Sequence, residues 1–251
     1  MSCTGQRYDD IGRSYARHRR PDPRIARQIN DALGDADRVV DVGAGTGSYE
    51  PSNRRVVAVD PSPVMIAQRS TGAGPVVRGV AEDLPFPAGS FDAALAILSL
   101  HHWSDKARGL AQLRRVAKRR VVLCFDAALE HTFWLVRDYL PEIAALDYGP
   151  DLSPEQVADA LDADRVDVVP VPWDCRDGFL CAYWRRPDAY LDASVRSCIS
   201  GLARLDPSVA RRGIDRLRTD LRTGRWATRH ANLLERSDMD LGYRLVIATG
   251  G

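Results

Sequence analysis

The sequence has no hydrophobic run long enough to cross a membrane and no secretion signal. No stretch of about 18 consecutive apolar residues occurs, so no transmembrane helix is expected. Residues 1–20 are polar and lack the apolar core of a signal peptide. These two absences predict a protein that does not associate with membranes.

Cysteine is scarce, and its spacing matches no known kind of site. The five cysteines form no C-x-x-C pair and no metal-ligand pattern, which excludes zinc-ribbon and similar metal centres. A scattered odd number of thiols is typical of a reducing compartment. We therefore expect a cytoplasmic protein that binds no metal.

A charge bias of either sign is also missing. Lys and Arg total 35 against 34 Asp and Glu, and the net charge is +1. A large nucleic-acid footprint needs a basic surface, so the balance argues against a nucleic-acid partner. The chain has only two lysines, Lys106 and Lys118, and its excess of arginine indicates a compositional bias. A single arginine is therefore weak evidence for a functional role.

The middle of the chain alternates apolar strands with helical segments. The predicted strands lie at 39–42, 56–59, 76–77, 91–98 and 121–125. Helices are predicted to begin at Asp22-Pro23, Ser62-Pro63 and Ser104, and a capping box at Ser153 opens another. Alternating strand and helix predicts a parallel α/β sheet.

The domain prediction is one domain over 1–251. Its parts are an N-terminal helical lid (1–37), a cofactor-binding core (38–126), a substrate-selecting elaboration (127–240) and a final strand (241–249). The elaboration surrounds a core strand near 166–171 and carries two amphipathic helices, one lined by Leu191, Val195, Ile199 and Leu202 and the other by Ile214, Leu217 and Leu221.

A glycine-rich turn follows the first strand of the core. Residues 39–47 read VVDVGAGTG, and Asp60 ends the next strand, where a carboxylate can accept both ribose hydroxyls of a nucleotide. Dinucleotide enzymes prefer G-x-G-x-x-G, but Ser48 occupies the third glycine position here. The pattern favours a ligand without pyrophosphate, and a nicotinamide oxidoreductase is the weakest alternative.

The segment AEDLPFPAGSFD at 81–92, which leads to SLHHW at 99–103, carries a family resemblance. With the glycine turn, it resembles the class I S-adenosylmethionine-dependent methyltransferases, in particular the small-molecule (quinone-biosynthesis-like, methyltransferase type 11) branch. The resemblance covers roughly 8–126, and DLGYRL at 240–245 is similar to the last strand of that fold. It implies a three-layer Rossmann-like sheet of about seven strands with an antiparallel last strand and a helical cap.

The resemblance also implies a set of residues that bind S-adenosylmethionine and its product S-adenosylhomocysteine. The glycine turn would hold the methionine part, with Asp41 at its amino group, and Asp60 would bind the ribose. Met65 would cover the adenine, Arg19 would meet the carboxylate, and Tyr15 would help close the N-terminal segment. The full set is Tyr15, Arg19, Asp41, Gly43, Ala44, Gly45, Gly47, Asp60, Pro61, Met65, Ala81, Glu82, Leu98 and Ser99.

Two departures from the family pattern bear on the cofactor. Val80 stands where many relatives have Asp, so an adenine contact is lost or moves to Glu82 or Asp83. The segment 48–55 is also too short for an ordinary crossover helix, which we expect to shrink to about one turn.

For catalysis, His102 and His101 are the candidate general bases. They follow the fourth strand, at the sheet edge where open α/β folds bind ligands, and imidazole titrates near neutrality. The alternative is that one caps the next helix and the other packs on Trp103. His131 and His230 are weaker candidates. Several aromatic residues outside the motifs are expected to line the acceptor site: Phe133, Trp134, Tyr139, Tyr148, Trp173, Phe179, Tyr183, Trp184 and Tyr190.

The sequence thus predicts methyl transfer to an O, N or C atom of a small metabolite. Two alternatives stay open: a methyltransferase acting on RNA or protein, and a protein that binds S-adenosylmethionine or S-adenosylhomocysteine without transferring methyl. The acceptor, the need for a base, and the choice between monomer and homodimer are not determined by the sequence.

Overall fold

The structure, a computed structural model, describes residues 18–146 and 152–250. Tyr15, Tyr148 and residues 1–17 of the predicted helical lid lie outside these ranges. The strands are β1 (Arg38–Val42), β2 (Arg55–Asp60), β3 (Val76–Arg78), β4 (Phe91–Ile97), β5 (Ala117–Phe125), β6 (Arg165–Val168), β7 (Val171–Pro172), β8 (Asp238–Met239) and β9 (Tyr243–Ala248).

Seven of these strands form one sheet in the order β3-β2-β1-β4-β5-β9-β6. The pairs among β1 to β5 are parallel, whereas β9 runs antiparallel to both β5 and β6. This topology is the class I methyltransferase fold, and it confirms the prediction of about seven strands with the last one antiparallel. The carboxyl ends of β1, β2 and β4 therefore meet at one edge of the sheet. The strand order reverses there, between β1 and β4.

The helices cover both faces of the sheet. They are α1 (Pro23–Ala32), α2 (Pro63–Ile66), α3 (Lys106–Val116), α4 (Trp134–Asp138), α5 (Pro154–Leu161), α6 (Ala193–Ser197), α7 (Ser200–Ala203), α8 (Pro207–Arg222) and α9 (Arg225–Arg229). Side chains of α3 and α5 pack on one sheet face, with Leu110 and Leu161 fully buried. Ile29 of α1 and the aromatic residues of the cap pack on the other face. The sheet, with a layer of helices and a core on each of its faces, makes the three layers that were predicted.

Several predicted helix starts are observed, and their caps explain them. Asp22 accepts a hydrogen bond from the Arg24 N–H, and Ser153 and Gln156 form both halves of the capping box. The start predicted at Ser104 is wrong by one residue, because the Asp105 carboxylate caps α3 by accepting from Arg108 N–H at 2.9 Å.

Three other predictions about local structure need correction. The strand predicted to Val171 ends at Val168, and β7 instead pairs with β8 in a separate two-stranded ribbon. The cap helix predicted through Leu191 to Leu202 is broken, since Asp192 caps α6 and the backbone is extended at Ile199 before α7 begins. The crossover from β1 to β2 has no helical turn at all but a series of turns over 43–54.

Within the described residues, no helix is both long and apolar enough to cross a bilayer. The same residues contain no group of three or more His, Cys, Asp or Glu side chains placed to hold a metal ion. The boundaries predicted for lid, core and elaboration, and the independence of metal, stay predictions.

Candidate active site

The glycine turn begins where β1 and β4 end side by side. Gly43 has φ +73°, and a Cβ there would lie 2.5 Å from the Cβ of Ser99. The Ser99 hydroxyl donates to the Val42 carbonyl at 2.9 Å and so ties the two strand ends together. Only glycine satisfies both the left-handed backbone and the close approach. Ser99 therefore shapes the turn as well as facing the predicted ligand.

A first cavity opens at this sheet edge. It is lined by twelve of the fourteen residues predicted to bind the cofactor: Arg19, Asp41, Gly43, Ala44, Gly45, Asp60, Pro61, Met65, Ala81, Glu82, Leu98 and Ser99. The first cavity is also lined by residues outside the predicted cofactor-binding set, namely Thr46, Ser48, Tyr49, Val80 and Trp103. Gly47 is absent from the lining, and Tyr15 lies outside the described residues.

Asp41 is the most unusual group in the first cavity. Its side chain is only 3% exposed, and its Oδ1 finds no hydrogen-bond partner within 18–146 and 152–250. Burial, together with the negative charge of Glu50, raises the pKa of Asp41 well above its ordinary value. A buried carboxylate oxygen without a partner is costly, so the site favours a cationic or hydrogen-bonding ligand at this position.

Asp60 stands at the end of β2 and accepts two backbone hydrogen bonds. Its Oδ2 accepts from Gly45 N–H at 2.7 Å and its Oδ1 from Ser62 N–H at 2.9 Å. Burial raises the pKa of Asp60 despite these bonds. Each carboxylate oxygen has a second lone pair, so both oxygens can also accept from the two hydroxyls of a ribose.

Glu82 has a local partner that the sequence did not reveal. Its Oε1 accepts from the Ser104 N–H at 2.6 Å, the Ser104 hydroxyl at 2.8 Å and the Asp105 N–H at 3.0 Å. Burial opposes ionisation, but these hydrogen bonds outweigh it and lower the pKa of Glu82. Glu82 thus anchors the start of α3 while lining the cavity. Val80 faces the cavity too, whereas the exposed Asp83 does not.

Arg19 is held by an acidic residue of the cap. Its Nε donates to Asp177 Oδ1 at 2.6 Å, and Asp177 is fully buried. The Tyr49 hydroxyl donates to Asp177 Oδ2 at 3.0 Å, and the Ser48 hydroxyl donates to the Arg19 carbonyl at 3.1 Å. The residue predicted to meet the cofactor carboxylate is therefore already ion-paired, and Asp177 is a site residue that the sequence analysis missed.

A second cavity adjoins the first. Its lining is mostly apolar, with His101, Glu130, Cys198 and Ser200 among its few polar residues. Arg19, Leu98 and His102 line both cavities. Leu98 has φ +50°, a left-handed conformation that a branched side chain rarely adopts and that commonly marks functional sites. We call the place where these three residues lie the junction.

His101 and His102 lie in a 3-10 helix, Leu100–His102, directly after β4. Their ring centroids are 3.8 Å apart, and neither histidine caps α3. Burial lowers the pKa of His101 to about 4, and burial next to His101 and Arg19 lowers the pKa of His102 well below its ordinary value. Both imidazoles are therefore neutral at neutral pH and present a nitrogen that can accept a proton.

Few of the cap aromatics that were predicted to line the acceptor site line the second cavity. Of the nine proposed, Phe179 alone among the described ones lines the second cavity. Most of the others pack against one another in the cap core, as Trp134 does with Tyr190 at a centroid distance of 5.7 Å. Two further aromatic residues line the second cavity: Phe125, which ends β5, and Tyr243, which begins β9. Neither His131 nor His230 lines either cavity.

Comparison with known proteins identifies the family. The family described as "Methyltransferase domain" matches residues 40–125. A crystal structure from Anabaena variabilis, assigned as a methyltransferase of an antibiotic biosynthesis pathway, is 30% identical with a TM-score of 0.85. The match covers 92% of this chain and 99% of that one. The chain belongs to the class I S-adenosylmethionine-dependent methyltransferases.

Curated relatives match this chain over part of its length. The 2-methyl-6-phytyl-1,4-hydroquinone methyltransferase 2 of Oryza sativa subsp. japonica is 35% identical over 126 residues, which is 43% of this chain and 36% of that protein. The ubiquinone/menaquinone biosynthesis C-methyltransferase UbiE of Citrifermentans bemidjiense is 35% identical over 101 residues, 34% of this chain and 43% of that protein. The chain thus spans less than half the length of these curated relatives.

S-adenosylmethionine is the cofactor of this methyltransferase family, and the first cavity fits it. The unpartnered Asp41 oxygen suits the cationic amino group of the methionine part, since an ion pair would satisfy both. The Asp60 carboxylate suits the two ribose hydroxyls. The second cavity leaves room for an acceptor beside the first.

Replacing Asp60 gives a direct test of the ribose assignment. Hydrogen bonds to a charged group contribute about 1.5–3 kcal/mol, so Asp60→Ala is expected to weaken S-adenosylhomocysteine binding roughly ten- to 150-fold. Calorimetric titration measures the change. The matched control is Asp37→Ala, because Asp37 is exposed and pairs with Arg55 at the far end of β2. Equal affinity of the Asp60 variant and wild type would remove Asp60 from the ribose site.

Proposed function

We propose that this chain transfers the methyl group of S-adenosylmethionine to an O, N or C atom of a small acceptor held in the second cavity. The observation that carries the proposal is the junction: Arg19, Leu98 and His102 line both cavities, so ligands in the two cavities would meet there. In-line transfer requires this adjacency of cofactor and acceptor.

The acceptor that the second cavity favours is flat and largely apolar, with at least one hydroxyl or other polar group. Leu100, Leu123, Phe125, Phe179 and Ile199 supply apolar surface, and the polar groups are confined to a few positions. The names of the curated relatives identify them as hydroquinone and quinone-pathway methyltransferases. A substituted hydroquinone is therefore the acceptor class we propose. The net charge of +1 gives the chain no overall basic character that would favour RNA.

The protein's part in the reaction is alignment, exclusion of water and movement of one proton. When bound, S-adenosylmethionine supplies an activated methyl group on its sulfonium sulfur. The two cavities hold the reacting groups in contact, and such positioning is worth about 7–11 kcal/mol in favourable cases. The apolar walls of the second cavity keep water away from the acceptor.

His102, with His101 beside it, is the proposed proton acceptor. An acceptor that has gained a methyl group on a hydroxyl or ring carbon is a strong acid until it loses a proton. A weakly basic imidazole is sufficient to take that proton, and burial keeps both rings neutral and ready. His102 lies at the junction, and both histidines line the second cavity.

The experiment that tests the function is transfer of isotopically labelled methyl from S-adenosylmethionine to a reduced naphthohydroquinone with a short prenyl chain. Gain of one methyl by the hydroquinone, seen by mass spectrometry, is the expected result. Total RNA and a denatured protein mixture serve as competing acceptors. Label in RNA or protein alone would favour a macromolecular substrate. Binding of S-adenosylhomocysteine without transfer to any acceptor would favour the non-catalytic alternative. The cytoplasmic location stays a prediction, because several plant relatives are named as chloroplastic.

A further inference from the structure

Two short 3-10 helices follow neighbouring strands of the sheet and line the second cavity. One of them, Leu100–His102, follows β4 and carries His101 and His102, and the other, Ala127–Thr132, follows β5 and carries Glu130. Since β4 and β5 pair in parallel, both helices begin at the same edge of the sheet. Neighbouring strands lie about 4.8 Å apart, so the two helices bring polar side chains to adjacent parts of one cavity.

The helix that carries Glu130 is fixed at its start. The Asp126 carboxylate caps it by accepting from the Ala128 N–H at 3.0 Å, and the Asp126 N–H donates to the Gly242 carbonyl at 2.8 Å. Gly242 has φ +88°, and a Cβ there would lie 3.3 Å from the Cβ of Leu129. The helix therefore packs directly against the residue that precedes β9. A binding group held on such an element keeps its position more precisely than one on a loose loop.

Glu130 is the one carboxylate among the described residues that line the second cavity. Its side chain is half-buried, and it does not line the first cavity. Arg19, the one arginine or lysine among the same lining residues, pairs with Asp177 at 2.6 Å. An ionised carboxylate accepts hydrogen bonds and donates none. In a mostly apolar cavity, Glu130 therefore favours a ligand with a hydrogen-bond donor at its own position.

We propose that Glu130 determines acceptor specificity by accepting a hydrogen bond from the acceptor hydroxyl that does not lie at the junction. A ring with hydroxyls on opposite sides places one of them beside His102 and the other beside Glu130. The hydrogen bond orients the ring, and an acceptor without the second hydroxyl leaves the carboxylate facing apolar surface. The inference rests on the proposed function, because it assumes that the second cavity holds a hydroquinone.

The test compares three acceptors in wild type and Glu130→Met, under anaerobic conditions that keep the acceptors reduced. The acceptors are the prenylated naphthohydroquinone and the two prenylated naphthols that each lack one of its hydroxyls. For one naphthol, the preference for the hydroquinone in kcat/KM is expected to fall about ten- to 150-fold in the variant, as for the loss of a hydrogen bond to a charged group. For the other naphthol, the preference should not change. Differences in intrinsic reactivity cancel, because they are the same for both enzymes.

Two controls separate recognition of the acceptor from damage to the fold. Glu130→Met should bind S-adenosylhomocysteine as wild type does, because Glu130 does not line the first cavity. Glu142→Met should keep the wild-type preference, because Glu142 is exposed and lines neither cavity.

The outcomes distinguish this inference from the function itself. If wild type transfers no methyl to any of the three acceptors, the proposed function is overturned and the role of Glu130 with it. Transfer with the same preferences in wild type and Glu130→Met, or an equal loss of activity on all three acceptors, overturns only the role of Glu130. If Glu130→Met does not fold, the nearly isosteric Glu130→Gln decides, since it removes the charge and an unchanged preference contradicts the proposal.

Discussion

Asp177→Ala is expected to lower the free energy of unfolding by about 3–5 kcal/mol, because it removes the buried carboxylate that pairs with the Arg19 guanidinium. Asp177 is fully buried and the Arg19 side chain is 14% exposed, so water can replace little of what is lost. The Tyr49 hydroxyl and the Gly178 N–H lose the same acceptor, at 3.0 Å and 2.7 Å. Chemical denaturation monitored by circular dichroism measures the change.

Asp174→Ala is the matched control for this prediction. Asp174 lies three residues away and pairs with Arg24, but its side chain is 48% exposed and that of Arg24 is 46% exposed. Exposed pairs contribute about 0–1 kcal/mol, so the control should differ little from wild type. If the two variants were equally stable, the contacts of Asp177 with the N-terminal segment, the crossover and the cap would not stabilise the fold as predicted.

His102→Ala is expected to lower kcat by about 10²–10⁴ while leaving the affinity for S-adenosylhomocysteine within a few-fold of wild type. The reason is that the imidazole lies at the junction, where few other groups can accept a proton from the acceptor. The affinity of the first cavity depends instead on Asp41, Asp60 and the glycine turn. His131→Ala is the control, because His131 is exposed and lines neither cavity.

The pH profile adds a second check on the histidines. Burial lowers the pKa of His101 to about 4 and that of His102 well below its ordinary value, so neither ring gains a proton between about pH 6 and pH 8. Histidine protonation should therefore cause no loss of kcat over that range. A loss of kcat with a midpoint near pH 6.5, absent in His102→Ala, would mean that His102 is solvated and titrates normally. Full activity of His102→Ala would remove it from the proton-transfer role.

The parallel strands could be predicted because they follow local sequence patterns, whereas the seven-stranded sheet with an antiparallel last strand was implied by the family resemblance. Buried parallel strands are continuous apolar runs, and β1, β2 and β4 each have that form between polar turns. The glycine turn and the acidic residue that ends β2 follow strand ends directly. The carboxyl ends of parallel strands meet at one edge of the sheet. The positions of the motifs along the sequence were therefore enough to predict most of the residues that line the first cavity.

The parts of the site that could not be predicted depend on long-range pairs. Arg19 and Asp177 are 158 residues apart, and nothing near Asp177 in the sequence marks it as the partner. Glu50 and Arg69 are separated by a strand and a helix, in a chain where arginine is too common to be informative. The raised pKa of Asp41 follows from its burial and then from the nearby Glu50, and the motif that contains Asp41 shows neither.

The cap shows a different limit of sequence reasoning. Aromatic residues suggest a flat ligand, but they also fill cores, and in this cap Trp134 and Tyr190 pack in the core. The Asp192 side chain begins α6 by accepting a hydrogen bond from the Ser194 N–H, and the backbone is extended at Ile199 between α6 and α7. This break interrupts the apolar periodicity that predicted one long helix. Cap composition alone therefore did not identify the lining of the second cavity.

The central claim is that the first cavity binds the methyltransferase cofactor despite its short crossover. Calorimetric titration of the purified chain with S-adenosylhomocysteine, with NAD as the control ligand, tests it most directly. We predict binding of S-adenosylhomocysteine at low-micromolar affinity, near −8 kcal/mol, and none of NAD. Binding of NAD, or no binding of S-adenosylhomocysteine by folded protein free of cofactor, would contradict the account.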